Sequence, residues 1–178
     1  MKFFLFLLFC FNINGAELLV LDPIFIKIIH KIESNASTKT NIVGDNGRAI
    51  GPLQIHFACW SDAVKFNSKV SNKETNNVIR DNKEPSGPLQ IHYRWRLDNI
   101  SANNKDNYAN NKDHYTNCFE LNYSIKIMTA YLNKYERKSI QNRDFESLAR
   151  CWNDGPNWRN KRDKTNNYWR KFKKFLTK

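Results

Sequence analysis

Asn41-Ile42-Val43-Gly44-Asp45-Asn46-Gly47-Arg48-Ala49-Ile50-Gly51 sets an Asn-Gly pair between short apolar flanks, the pattern of a tight β-hairpin. Pro52 follows and can open a helix whose apolar stripe is Leu53, Phe57, Trp60 and Val64. Upstream, Asp22-Pro23 joins an N-cap to a proline at the first helical position. Ile24, Phe25, Ile28, Ile29 and Ile32 then recur with helical spacing through Glu33. Three more helices are expected downstream. The first carries Leu121, Ile125, Met128 and Leu132. The second carries Phe145, Leu148, Ala149 and Trp152, capped by Asp144 and stopped by Gly155-Pro156. The last carries Tyr168, Trp169, Phe172, Phe175 and Leu176. One hairpin among helices makes an α+β fold, mostly α, with a small β-hairpin.

The chain has 178 residues, enough for one domain with an insertion and a proper core. Lys2 precedes nine apolar residues, Phe3 to Phe11, and a polar run ending in Gly15-Ala16. A basic start, a short greasy segment and small residues after it describe a secretory signal peptide over residues 1–16. Nine residues rise about 13 Å as a helix, too little for a bilayer core of roughly 30 Å. Residues 17–178 then form a single secreted domain, outside the cell or in a lysosomal or phagosomal lumen. Removing the leader takes Cys10 with it and leaves Cys59, Cys118 and Cys151. One bridge and one free thiol is the natural arrangement in an oxidising compartment, with three pairings open. Cys59–Cys118 is the expected one, leaving Cys151 buried on a helix. The four histidines are scattered, and no Cys or His spacing suits a metal.

Residues 67–117 are rich in Asn, Lys and Asp and their apolar residues show no period, so they read as a long solvated insertion. Much of the chain's 25 Asn falls here. Inside it Gly51-Pro52-Leu53-Gln54-Ile55-His56 returns as Gly87-Pro88-Leu89-Gln90-Ile91-His92, and Asp45-Asn46 returns as Asp81-Asn82. The position matching Glu33 is Lys69. The insertion thus holds a degenerate repeat of residues 42–62, and the first copy, with the whole hairpin and its upstream Glu, is the one expected to work.

Glu33 is the most informative residue. Helical spacing puts it below Phe25 and Ile29 on the apolar face. It also ends the helix, where the macrodipole disfavours negative charge. Burial and dipole both push a carboxyl pKa upward, as a general acid near neutrality requires. Twelve residues later, Asp45 lies in a polar Gly-Asp-Asn-Gly turn. There backbone N–H groups and water can serve an anion. Two carboxyls in contrasting surroundings are the acid-plus-anion pairing of glycoside hydrolysis.

Several ordered motifs extend that pairing. Ile32-Glu33-Ser34, Val43-Gly44-Asp45, Gly51-Pro52-Leu53-Gln54-Ile55 and Trp60-Ser61-Asp62 together resemble the invertebrate-type lysozymes. Leu148-Ala149-Arg150-Cys151-Trp152-Asn153-Asp154-Gly155-Pro156-Asn157 and Tyr168-Trp169 add to the likeness. The resemblance covers about residues 22–66 and 118–176. It implies a lysozyme-like fold that cleaves the β-1,4 bond between N-acetylmuramic acid and N-acetylglucosamine in peptidoglycan without a cofactor. Glu33 would be the general acid and Asp45 the stabiliser or nucleophile. Gln54, His56 and Asn153 would hydrogen-bond the sugars. The small number of cysteines also resembles the transglycosylase-type lysozyme domains, which work with a single catalytic Glu. Trp60 and Trp169 are expected in the core, while Trp152 suits either core or sugar platform.

Lys+Arg 29 against Asp+Glu 17 gives a formal charge of +12. Residues 158–178 hold nine Lys or Arg and one acid, Asp163. The helix there reads first as a core helix with a solvated basic face. That face also suits anionic wall or membrane surfaces, which keeps open a non-enzymatic wall-binding or membrane-active defence protein. A leader peptide argues against nucleic acid as partner, and a monomer is expected.

Overall fold

The computed structural model describes residues 17–39, 41–70 and 114–177. The leader, the centre of the insertion, and with it Asp81, Gln90 and His92, lie outside the described residues. Helix α1, Pro23–Ser34, begins where expected. Asp22 accepts a hydrogen bond from the Ile24 amide at 2.8 Å, and Pro23 fills the first turn. It ends at Asn35, whose left-handed backbone (φ 57°) turns its N–H back onto His30 and Lys31. Phe25, Ile28 and Ile29 are its buried stripe; of the other residues expected on it, Ile32 is partly buried and Ile24 is exposed.

A three-stranded antiparallel sheet follows, β1 Val43–Gly44, β2 Ala49–Ile50 and β3 Ile55–His56, in that spatial order. Val43 opposes Ile50 and Ile50 opposes Ile55. The expected hairpin is therefore one half of a larger unit, and no helix starts at Pro52. Gly51 has φ +77° and Gln54 φ +50°, and residues 51–54 close a tight turn in which the Gln54 amide bonds the Gly51 carbonyl at 3.0 Å. Left-handed backbone at two of four positions excludes a right-handed helix there. A Cβ on Gly51 would also stand 1.7 Å from the Cys118 carbonyl oxygen, so only glycine fits. Leu53 is buried from this turn, and α2 starts later, at Phe57–Phe66, burying Trp60 and Ala63.

The insertion is narrower than its composition suggests. Val70 and Tyr115 belong to the core. Tyr115 packs edge-on to Phe57 at 5.2 Å and donates its hydroxyl to the Ile55 carbonyl at 2.7 Å. The chain re-enters as α3, Leu121–Tyr135, lying along α2. Of the expected stripe Met128 and Leu132 are buried and Leu121 and Ile125 only partly so; Tyr123, Ile127 and Tyr131 complete the buried face. After the short α4, Arg137–Gln141, comes α5, Phe145–Asp154. Asp144 caps α5 by accepting from the Ser147 amide, and the helix stops at Gly155.

A run of 3₁₀ turns, Trp158–Thr165, leads to α6, Asn166–Leu176, which packs on α1 and α5. Two buried polar hubs anchor this run. Glu136 accepts from both Arg159 nitrogens, the Trp158 indole and the Ser139 hydroxyl. Arg150 donates to Glu146, the Arg162 carbonyl, Thr165 and Asn166. Burial opposes ionisation of Glu136, but the Arg159, Ser139 and Trp158 donors outweigh it and hold the carboxyl below its ordinary range. Phe25, Phe145 and Phe172, with ring centres 5.5–6.0 Å apart, lock α1, α5 and α6 together. Among the described residues no helix is long and apolar enough to cross a membrane.

Phe172 is wholly buried in that trio. Phe172→Ala should lower stability by about 3–5 kcal/mol, the usual loss for a buried phenylalanine, read as an earlier urea midpoint with little change in slope.

Candidate functional site

Glu33, Asp45, Gln54, His56 and Asn153 all line one cavity of about 290 Å³, closed further by Ala49, Ile55, Cys59 and Trp152. These five were picked from local patterns as far apart as 120 residues, and the fold brings all of them to one place.

Glu33 enters from the last turn of α1. Tyr168 on α6 donates its hydroxyl to Oε1 at 2.5 Å. The Trp152 indole on α5 is a further donor, and the Lys171 ammonium adds a weaker attraction. Burial is the larger effect and raises the carboxyl pKa above its ordinary value, against the lowering influence of those three groups. The Tyr168 hydroxyl is pushed well above its usual range, first by burial and then by the carboxyl it faces, so it stays a donor.

Asp45 stands opposite in very different company. It begins the turn between β1 and β2, where Asp45, Asn46 and Gly47 all have positive φ (47°, 54° and 86°). Its side chain is 38% exposed. Arg48 donates to Oδ1 at 2.6 Å, and His56 Nε2 lies 3.5 Å from Oδ2. The expected setting was backbone N–H groups and water; the charged partner found is a guanidinium three residues on. Such an exposed pair contributes little stability, and its effect is to aim the carboxylate.

Gln54 is partly consumed by the architecture. Its Nε2 donates to the Gly51 carbonyl at 2.9 Å, and its Oε1 presses on Gly44 so closely that a Cβ there would meet it at 1.7 Å. The side chain shapes the wall as much as it presents a polar edge. His56 is half exposed at the end of β3, and Asn153 is exposed on α5. Trp60 is buried and bonds the Tyr123 hydroxyl, as a core residue should. Trp169 is half buried, stacked on Phe172. Trp152, the ambiguous one, belongs to the cavity wall.

The expected Cys59–Cys118 disulfide is not present: Cys59, Cys118 and Cys151 are all free. Burial is the main reason each thiol is raised; a neighbouring cysteine adds to it for Cys59 and Cys118, and Glu136 adds to it for Cys151, which is pushed up to about 12. They lie among core residues of α2, α3 and α5. Cys151 is buried on its helix, as expected.

No family model matches this chain, and no curated protein or solved structure matches it. The chemistry available to the cavity is therefore read from its own groups: a partly buried carboxyl of raised pKa, an exposed carboxyl beside a guanidinium, an imidazole and two amides. Among the described residues no group of three His, Cys, Asp or Glu could hold a metal. Local reasoning missed Tyr168, Trp152 and Arg48 as partners of the two carboxyls. A signal for Tyr168 existed, since a tyrosine in an otherwise Phe-rich buried stripe needs an acceptor for its hydroxyl.

The raised pKa of Glu33 has a stability consequence. A carboxyl raised above its unfolded value favours folding only while both states are protonated, and that advantage is lost as pH rises through the folded pKa. Glu33→Gln keeps the shape, can still accept from Tyr168 and never ionises. It should melt higher than the wild type at pH 8, with the gap closing as pH falls below the ordinary value of 4.5. Calorimetry across that range would show it, and a variant that melts lower throughout would refute it.

Proposed function

We propose that the protein is a secreted lysozyme-like glycoside hydrolase that cleaves the β-1,4 bond between N-acetylmuramic acid and N-acetylglucosamine in peptidoglycan. The observation that carries this reading is the single cavity lined both by Glu33, partly buried and of raised pKa, and by the exposed Asp45. Support also comes from a mostly helical fold in which a small sheet turns its first hairpin toward the end of a helix, the arrangement that the lysozyme resemblance implies.

Neutral Glu33 gives its proton to the glycosidic oxygen as the C–O bond breaks, and the bond's electron pair leaves with that oxygen. Positive charge developing on the sugar carbon faces the Asp45 carboxylate, which stabilises it or attacks it. His56 and Asn153 offer hydrogen bonds to the sugars at the rim, and Gln54 forms the floor. No cofactor enters the scheme. The raised pKa of Glu33 keeps the acid protonated further toward neutrality, so activity falls on the alkaline side as Glu33 ionises. A cleft of this kind suits a monomer acting on an insoluble wall, with the basic outer face of α6 drawing the protein to anionic wall polymers.

One feature favours a second reading. Asp45 is held by Arg48, and an anion so engaged is less available as a nucleophile. Glu33 acting alone, as a lytic transglycosylase does, is that alternative. A wall-binding or membrane-active protein without catalysis is the third, and it predicts no sugar release at all.

Mature protein on purified peptidoglycan, with products read by mass spectrometry, separates them. New reducing ends that fall by about 10²–10⁴-fold in Glu33→Gln, and sharply in Asp45→Asn, support the hydrolase. Anhydro-sugar ends with Asp45→Asn still active support the transglycosylase. Asp81→Asn should leave activity intact, and a loss equal to that of Asp45→Asn would move the site to the second repeat copy.

A further inference from the structure

We propose that Tyr168 is the positioning residue of Glu33: its hydroxyl, carried in by the C-terminal helix, fixes Oε1 as the accepting oxygen and leaves Oε2 to hold and deliver the proton. The inference rests on Glu33 being the acid of the proposed reaction. Tyr168 is 9% exposed, and the bond to Glu33 joins residues 135 apart in sequence at 2.5 Å. The ring is held by its place on α6 beside Phe172, which the Phe25–Phe145–Phe172 trio anchors to α1 and α5. For packing alone phenylalanine would serve. The hydroxyl needs an acceptor once buried, and the carboxyl is the one it has.

Because Tyr168 remains a donor, its bond favours Oε1 as the carbonyl oxygen, the better acceptor of a neutral carboxyl, and so places the acid proton on Oε2. Delivery of that proton turns Glu33 into a carboxylate without moving any heavy atom, and the Tyr168 bond becomes charge-assisted as it happens. The interaction thus strengthens toward the transition state, the condition for it to accelerate the step. The other groups facing Glu33 are Lys171 from α6 and Trp152 from α5. Asp45, His56 and Cys59 face the same cavity from the first sheet turn, β3 and α2.

The test is Tyr168→Phe in the full mature chain. Two readouts serve: the Glu33 carboxyl ¹³C titration by NMR and the pH profile of kcat on peptidoglycan. Removing a donor to the charged form should move the Glu33 midpoint upward by about one unit. The alkaline limb should move with it, and kcat should fall about tenfold with KM little changed. A folded variant with an unmoved midpoint and an unmoved limb overturns the proposal. The wild type gives a second readout that does not depend on the variant's folding: the Tyr168 ¹³Cζ resonance should titrate with the Glu33 midpoint, and a flat trace overturns the proposal too. Flat titrations with an inactive Glu33→Gln would remove only the role of Tyr168. Coupled titrations with a fully active Glu33→Gln would instead overturn the functional reading, and the catalytic meaning of the pair with it.

Discussion

Burying one carboxyl at the end of α1 is the constraint on which the rest of this molecule turns. A charged group in an apolar setting is costly unless it is paired or neutral, and Glu33 has two hydrogen-bond donors and one nearby ammonium. Those partners are too few to reverse the effect of burial, and enough to hold the carboxyl still. The balance exists because α6 lies across α1 and brings Tyr168 and Lys171 with it. Anything that loosens the aromatic trio would let water reach Glu33 and return it to an ordinary carboxylate.

The facing wall is made rigid by a different device. Asp45, Asn46, Gly47, Gly51 and Gln54 all adopt positive φ within ten residues. Three of the five are not glycine, so this stretch carries backbone strain that compact surroundings must hold in place. Buried Ile50, Leu53 and Ile55 supply that hold from beneath. The same strain forces the short turn after Gly51 and thereby delivers β3, which carries His56 to within 3.5 Å of Asp45. Strained loop and apolar underside together aim two side chains at one cavity.

What was legible in the sequence was what depends on neighbours along the chain. The Asp22 and Asp144 caps, the Gly155 stop, the buried stripe of α1 and the burial of Glu33 all follow from spacing and cap chemistry. The stretch after Pro52 was misjudged because proline opens helices and turns alike, and the decision lay with Gly51, whose missing Cβ admits the Cys118 carbonyl from a segment far along the chain. Tyr115 looked like insertion for the same reason: its partners Ile55, Phe57 and Trp60 are distant in sequence. The cysteine arithmetic assumed that three thiols in an oxidising compartment should bridge. Here they sit as small apolar side chains in a core already closed by aromatic and aliphatic packing.

The charge distribution completes the logic. A chain of net charge +12 would be expected to ionise its own acid, since every cation nearby favours the carboxylate. The pKa of Glu33 is raised all the same, because burial outweighs the donors and the ammonium beside it, and most of the positive charge lies on exposed side chains where solvent weakens it. Arg170, Lys173 and Lys174 are exposed on the outer side of α6, and salt screens exposed charges beyond about 8–10 Å. From the same helix Tyr168 gives Glu33 a neutral hydroxyl, and Lys171 adds only a weaker attraction. Two arginines are committed elsewhere, Arg150 to Glu146 and Arg159 to Glu136. One amphipathic helix therefore carries a basic outer face while its inner face supplies the hydroxyl that holds Glu33. A single lysine turned inward at position 168 would undo that separation, trading a donor that tolerates a neutral carboxyl for one that demands a charged partner.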